Sequence, residues 1–130
     1  MPSNTLLIST YIAFIWLVVL HTFEEIASGI MYAQIGPVKL TPNKYLLGAS
    51  LISTINLLIL ALLINGISVG YYLGLFTSAV IGVFQAIVHT IGFLKENKTA
   101  RRLGAGFYSS IPLAIAGLVV FIQLVQIITS

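Results

Sequence analysis

Leu6-Leu7-Ile8-Ser9-Thr10-Tyr11-Ile12-Ala13-Phe14-Ile15-Trp16-Leu17-Val18-Val19-Leu20 runs without a charge and ends on His21-Thr22-Phe23-Glu24-Glu25, which holds two of the three acidic residues in the chain. Taken with the mostly apolar residues on either side, from about 5 to 29, it supplies the 20 or so positions a helix needs to cross roughly 30 Å of hydrocarbon. Ionisable groups at its inner end are expensive in lipid and call for partners or a function. At about 3.6 residues per turn His21, Glu24, Glu25 and Ser28 fall within an arc of roughly 100°, so they can face one partner together.

The rest of the chain repeats the pattern. Of its 130 residues 58% are hydrophobic and 7% charged, whereas a soluble domain carries about 25% charged residues. Apolar segments at about 5–29, 45–65, 69–94 and 104–128 each reach spanning length. The expected fold is all-α, a single four-helix transmembrane bundle over 1–130 with antiparallel up-down topology. Met1-Pro2-Ser3-Asn4 lacks the positive start of a signal peptide, so the first segment is expected to be a retained helix. With no Cys, disulfide, thiolate and thiol redox chemistry are excluded.

The net charge of +3 is unevenly placed. Lys39 and Lys44 lie between the first and second segments, and Lys95, Lys98, Arg101 and Arg102 between the third and fourth. The positive-inside tendency then puts loops 30–44 and 95–102 in the cytoplasm and both termini outside. The basic residues form no stripe with interleaved aromatics, which argues against nucleic acid. The partner expected from composition is the lipid bilayer, with anionic head groups near the basic loops.

Polar residues on the later segments single out candidates. Thr41-Pro42-Asn43 reads as a helix start. In the second segment Asn56 is the polar group whose amide could orient a ligand. In the third, Tyr71, Ser78, Gln85 and Gly92 repeat every seven residues, with Gly82 and His89 flanking the line. His89 lies about 9 Å before Lys95, a depth close to that of His21. His21, Glu24, Glu25, Gln85 and His89 are therefore expected at one level, and Tyr108, Ser109 and Ser110 could reach it from the fourth. Pro112 is expected to bend that segment. Its face of Gly106, Ser110, Ala114 and Gly117 suits close helix contact, within a homodimer or a larger membrane complex as well as within the bundle.

Two imidazoles and two carboxylates in a low-dielectric bundle match the donor set of a divalent transition metal, Zn, Fe or Mn. His21, Glu24, Glu25 and His89 are the candidate ligands. Glu24 or Glu25 is the candidate catalytic carboxylate activating a water, and Gln85, Asn56, Tyr108 and Ser110 are the candidate supporting residues. The corresponding function is a metal-dependent hydrolase or oxidoreductase acting on a lipid-soluble substrate. A non-enzymatic small subunit of a larger complex, and third a proton-coupled carrier or regulator, are the alternatives. A haem held by both histidines would leave the glutamates beside His21 unexplained and is set aside.

His21-Thr22-Phe23-Glu24-Glu25 in a first hydrophobic span, a later His89 and Pro112 in the last span resemble the bacterial HXXEE family of small membrane proteins. The resemblance implies that His21, Glu24 and Glu25 act together in a bacterial inner or plasma membrane, and names no substrate. A more distant similarity is to CAAX-type intramembrane proteases, which combine a Glu-Glu pair with histidines on later helices. This chain departs from them at Gly29, where they have Arg, and at Gln85, where they have Phe.

Overall fold

In a computed structural model, which describes residues 4–35, 37–95, 100–101 and 104–130, the chain is a bundle of four long helices. They are α1 (Asn4–Ser28), α2 (Pro42–Ile64), α3 (Ser68–Leu94) and α4 (Phe107–Ile128), each long and apolar enough to cross a membrane. Lys98 and Arg102 lie outside the described residues, and of Arg101 only the backbone is described.

The inward stripe of α1 is Leu7, Tyr11, Phe14, Val18 and His21, spaced alternately four and three apart. That spacing keeps one seam facing a neighbouring helix. His21 continues the apolar stripe by one step, so the packing that buries Phe14 and Val18 also carries the imidazole inside. The opposite face exposes Ile12, Trp16, Leu20 and Phe23. Leu7, Tyr11, Phe14 and Val18 pack with Ile59 and Leu63 of α2 and with Leu113, Val120 and Leu124 of α4.

α1 stops at Gly29, whose φ of 79° is left-handed, and a single 3-10 turn follows at Ile30–Tyr32. α2 begins with Pro42 after Thr41, whose hydroxyl accepts the Lys44 N–H at 3.4 Å. Pro loses nothing in a first helical turn, where its missing N–H would have no partner. The connection between α2 and α3 is the turn Asn65-Gly66, with Gly66 at φ 64°.

α3 is not regular. Ser78–Phe84 is π-helical, which accommodates one extra residue in the turn. Before this stretch the buried positions of α3 are Gly70, Gly74 and Thr77; beyond Ser78 they are Gly82, His89 and Gly92. A regular helix carried on from Gly74 by fourteen residues would turn Val88 inward instead of His89. The seven-residue line expected from sequence is broken accordingly, with Tyr71 and Gln85 only half-buried. At the same stretch α3 meets α4 backbone to backbone. A Cβ on Gly117 would stand 2.7 Å from Gly82 Cα and 2.8 Å from the Ser78 carbonyl oxygen.

Two polar ties cross the apolar part of the bundle. Tyr11 donates its hydroxyl to Asn56 Oδ1 at 2.9 Å and lies 3.3 Å from Thr77 Oγ1, linking α1, α2 and α3. Gln123 of α4 is buried and accepts from the Thr10 hydroxyl of α1 at 2.5 Å.

Beside the helices stand three two-residue strands that helical patterning does not anticipate. β1 (Gln34–Ile35) pairs antiparallel with β2 (Val38–Lys39) and with β3 (Ala100–Arg101). The connection between α1 and α2 is thereby tied to the one between α3 and α4.

Candidate metal centre

The inward stripe of α1 and the phase of α3 beyond its π-helical stretch bring two imidazoles face to edge, with ring centroids 4.9 Å apart and planes at 77°. Glu25, one turn below His21, reaches between them. Its Oε1 lies 3.2 Å from His89 Nε2 and 3.5 Å from His21 Nε2. One nitrogen from each histidine and one carboxylate oxygen lie within 4.8 Å of one another, and both histidines are buried.

Hydroxyl groups fix the orientation of His21 and Glu25. His21 Nδ1 is 2.8 Å from Ser109 Oγ, which leaves Nε2 for the centre. Tyr45 donates its hydroxyl to Glu25 Oε2 at 2.8 Å, so Glu25 offers Oε1 inward while its other oxygen is engaged. Gly106 (φ 91°) closes one wall: a Cβ there would stand 2.7 Å from His21 Cε1 and 2.8 Å from Glu25 Cγ. Only glycine satisfies both the left-handed backbone and the contact.

Glu24 has a different task from its neighbour. Its Oε2 accepts the Ser109 N–H at 2.7 Å and its Oε1 the Tyr108 N–H at 3.3 Å. Those amides belong to the first turn of α4, whose free N–H groups and positive dipole end favour a carboxylate. Glu24 caps α4 from another helix and stands outside the three-ligand cluster. The expected four-ligand set is thus three in the geometry, with the 100° between adjacent helix positions separating the two glutamates.

Other expected participants are distributed similarly. Gln85 lines a cavity next to the cluster. Asn56 is committed to Tyr11 and Ile52 O, and Tyr11 lies about 15 Å up α1 from His21. The Tyr108 ring is exposed and packs edge-on against Phe93 and Phe107. Ser110 is buried but donates to Phe107 O at 2.6 Å, so Ser109, one step earlier, is the serine at the cluster. Tyr45 escaped the sequence reading. Its signal was its place in the first turn of α2, at the same end of the bundle as Glu25.

A carboxylate between two imidazoles, with Tyr45 holding the carboxylate and Ser109 one of the imidazoles, has the donor set of a two-His, one-carboxylate metal site that leaves coordination positions for water or substrate. Loss of one such outer partner typically lowers metal affinity about 10–100-fold. Ser109→Ala and Tyr45→Phe are each expected to weaken metal binding by about that factor, measured by competition against a chromogenic chelator. Unchanged affinity in both would mean that these hydroxyls do not support a metal.

The geometry opens on two sides. A cavity of about 280 Å³ lies toward α2, with Val18, Ile52 and Ile81 among its walls. A second, of about 290 Å³, lies toward the strands, lined by Ile30, Ala33, Val38 and Val88. Glu25, Leu40, Tyr45 and His89 border both. Comparison of the chain with protein-family models, curated proteins and solved structures finds no match in any of the three.

Proposed function

We propose that the chain is an integral membrane metal-binding protein, with a divalent transition metal held by His21 Nε2, His89 Nε2 and Glu25 Oε1. The observation that carries this reading is the convergence of those three donors within 4.8 Å from helices far apart in sequence, with both histidines buried. Unsatisfied ionisable groups would be costly there, and the donor types suit Zn, Fe or Mn. The metal would supply Lewis acidity to a water or substrate oxygen at its open positions, and the adjoining cavities would admit a lipid-soluble substrate of a hydrolase or oxidoreductase.

In this reading the four helices run up and down, with both termini outside and loops 30–44 and 95–102 in the cytoplasm. The pairing of β1 with β3 supports a common side for the two loops, and their Lys and Arg content supports the cytoplasmic one.

A specific observation also favours a second reading. Glu25 already sits within 3.5 Å of both imidazoles, as in a hydrogen-bonded cluster that only ties α1 to α3 in a subunit of a larger complex. The small-residue face of α4 is turned inward at Gly106, Ser110 and Gly117, so a partner, or a second copy, would dock on another face. A proton-coupled carrier has no comparable observation in its favour.

Elemental analysis of protein purified without chelator separates the two readings. The metal reading expects about one equivalent of Zn, Fe or Mn per chain, absent from His89→Ala. A folded, metal-free wild type that rebinds none of the three ions would overturn it.

A further inference from the structure

We infer that the cavity between α1, α2 and α3 binds a single-chain amphiphile whose polar end is uncharged and both donates and accepts a hydrogen bond, as a primary amide or an alcohol does. The inference deepens the metal reading by naming the substrate class of that site. It rests on that reading for what happens at the ligand's end, and not for binding itself.

Gln85 carries the argument. It lines the cavity one turn from His89, and its Oε1 and Nε2 are both buried with no hydrogen-bond partner among the described residues. Such an amide is rare in a native interior, because each buried group without a partner forfeits its hydration. Asn56, a buried amide on α2, has by contrast both its side-chain oxygen and its nitrogen engaged by the protein. At Gln85 the sequence supplies a donor and an acceptor side by side and no neighbour to take them.

The surroundings define the rest of the ligand. Val18, Ile52 and Ile81 give an apolar wall, and Gly48 and Ala49 of α2 keep room beside it. Gln85, His89, Glu25, Tyr45 and Lys44 are among the polar residues in the same cavity. A chain of methylenes with one polar end fits this division, and the exposed apolar faces of the bundle imply a lipid phase as its source. The head must satisfy both atoms of Gln85. An alkane satisfies neither, and an ionised carboxylate, whatever it gains from Lys44 at the cavity wall, satisfies only Nε2 and leaves Oε1 unpaired. A primary amide pairs with the carboxamide in a closed ring of two hydrogen bonds, and a hydroxyl can donate to one atom and accept from the other.

The test is titration of dodecanamide, 13C-labelled at its carbonyl, into the full chain in lipid nanodiscs, with and without a chelator. Binding is read from the carbonyl resonance, and competition is measured with dodecan-1-ol, dodecane and dodecanoate. The amide and the alcohol are expected to bind about tenfold or more tightly than the alkane and the carboxylate, a difference of the size two buried hydrogen bonds supply. Gln85→Leu and the near-isosteric Gln85→Met should erase that preference, and Ala49→Phe should exclude all four. Equal binding of dodecane and dodecanamide, or a preference surviving in the folded Gln85→Met chain, would overturn the inference. A head-group preference in a chain that binds no metal would sink the metal reading alone, and metal binding without a preference would sink this one alone.

Discussion

Glu25→Gln is expected to lower metal affinity by more than about 100-fold, beyond what loss of an outer partner costs, while Glu24→Gln leaves metal stoichiometry unchanged. The adjacent glutamates offer a sharp contrast because they are chemically the same and one residue apart. Glu25 places an oxygen between the imidazoles, and a carboxamide there would bring a neutral oxygen or an N–H to the cation. Glu24 places both oxygens on the amide hydrogens that open α4. Its replacement keeps one acceptor but removes the charge at a helix N-terminus, so thermal unfolding in detergent micelles should show a loss of about 1–2 kcal/mol. If both variants lose the metal equally, the division of labour is wrong.

The second large effect concerns the backbone of α3. Removing one residue from a regular transmembrane helix turns everything beyond it by about 100°. Removal of Ile87 should do this to His89 and abolish metal binding. Removal of Val80, inside Ser78–Phe84, should not: that stretch holds the extra residue, and its loss lets the turn relax to regular α geometry with Gly74 and His89 still on one side. Both deletions are read as metal per chain in protein that keeps its helical circular dichroism. Loss of metal on deleting Val80, in a folded chain, would show that the stretch does not set the phase of His89.

These two cases mark how far the sequence could be read. The spanning segments were legible because apolar runs of about 20 residues have few alternatives. The shared level of His21, Glu25 and His89 was legible because His21 stands about as many residues from the end of the first spanning segment as His89 does from Lys95. Direction around the helix axis was less accessible. Adjacent positions differ by about 100°, so nothing in Glu24-Glu25 or Ser109-Ser110 tells which member turns to the cluster until the neighbouring helix is placed. The π-helical stretch adds a phase shift that a fixed period of 3.6 cannot register. Tyr45 was hidden in a helix start recognised only for Thr41 and Pro42, and the strands are too short to leave an alternating pattern.

Ser109 grips two residues of α1 at once, Glu24 through its N–H and His21 through its hydroxyl, while Gly106 leaves no clearance between the chain and the imidazole. The beginning of the last helix and the histidine side chain are thus coupled like parts of one rigid joint. A tilt imposed on that end, whether by bilayer thickness or by a neighbouring molecule, would swing the imidazole with it rather than dissipate in the intervening loop.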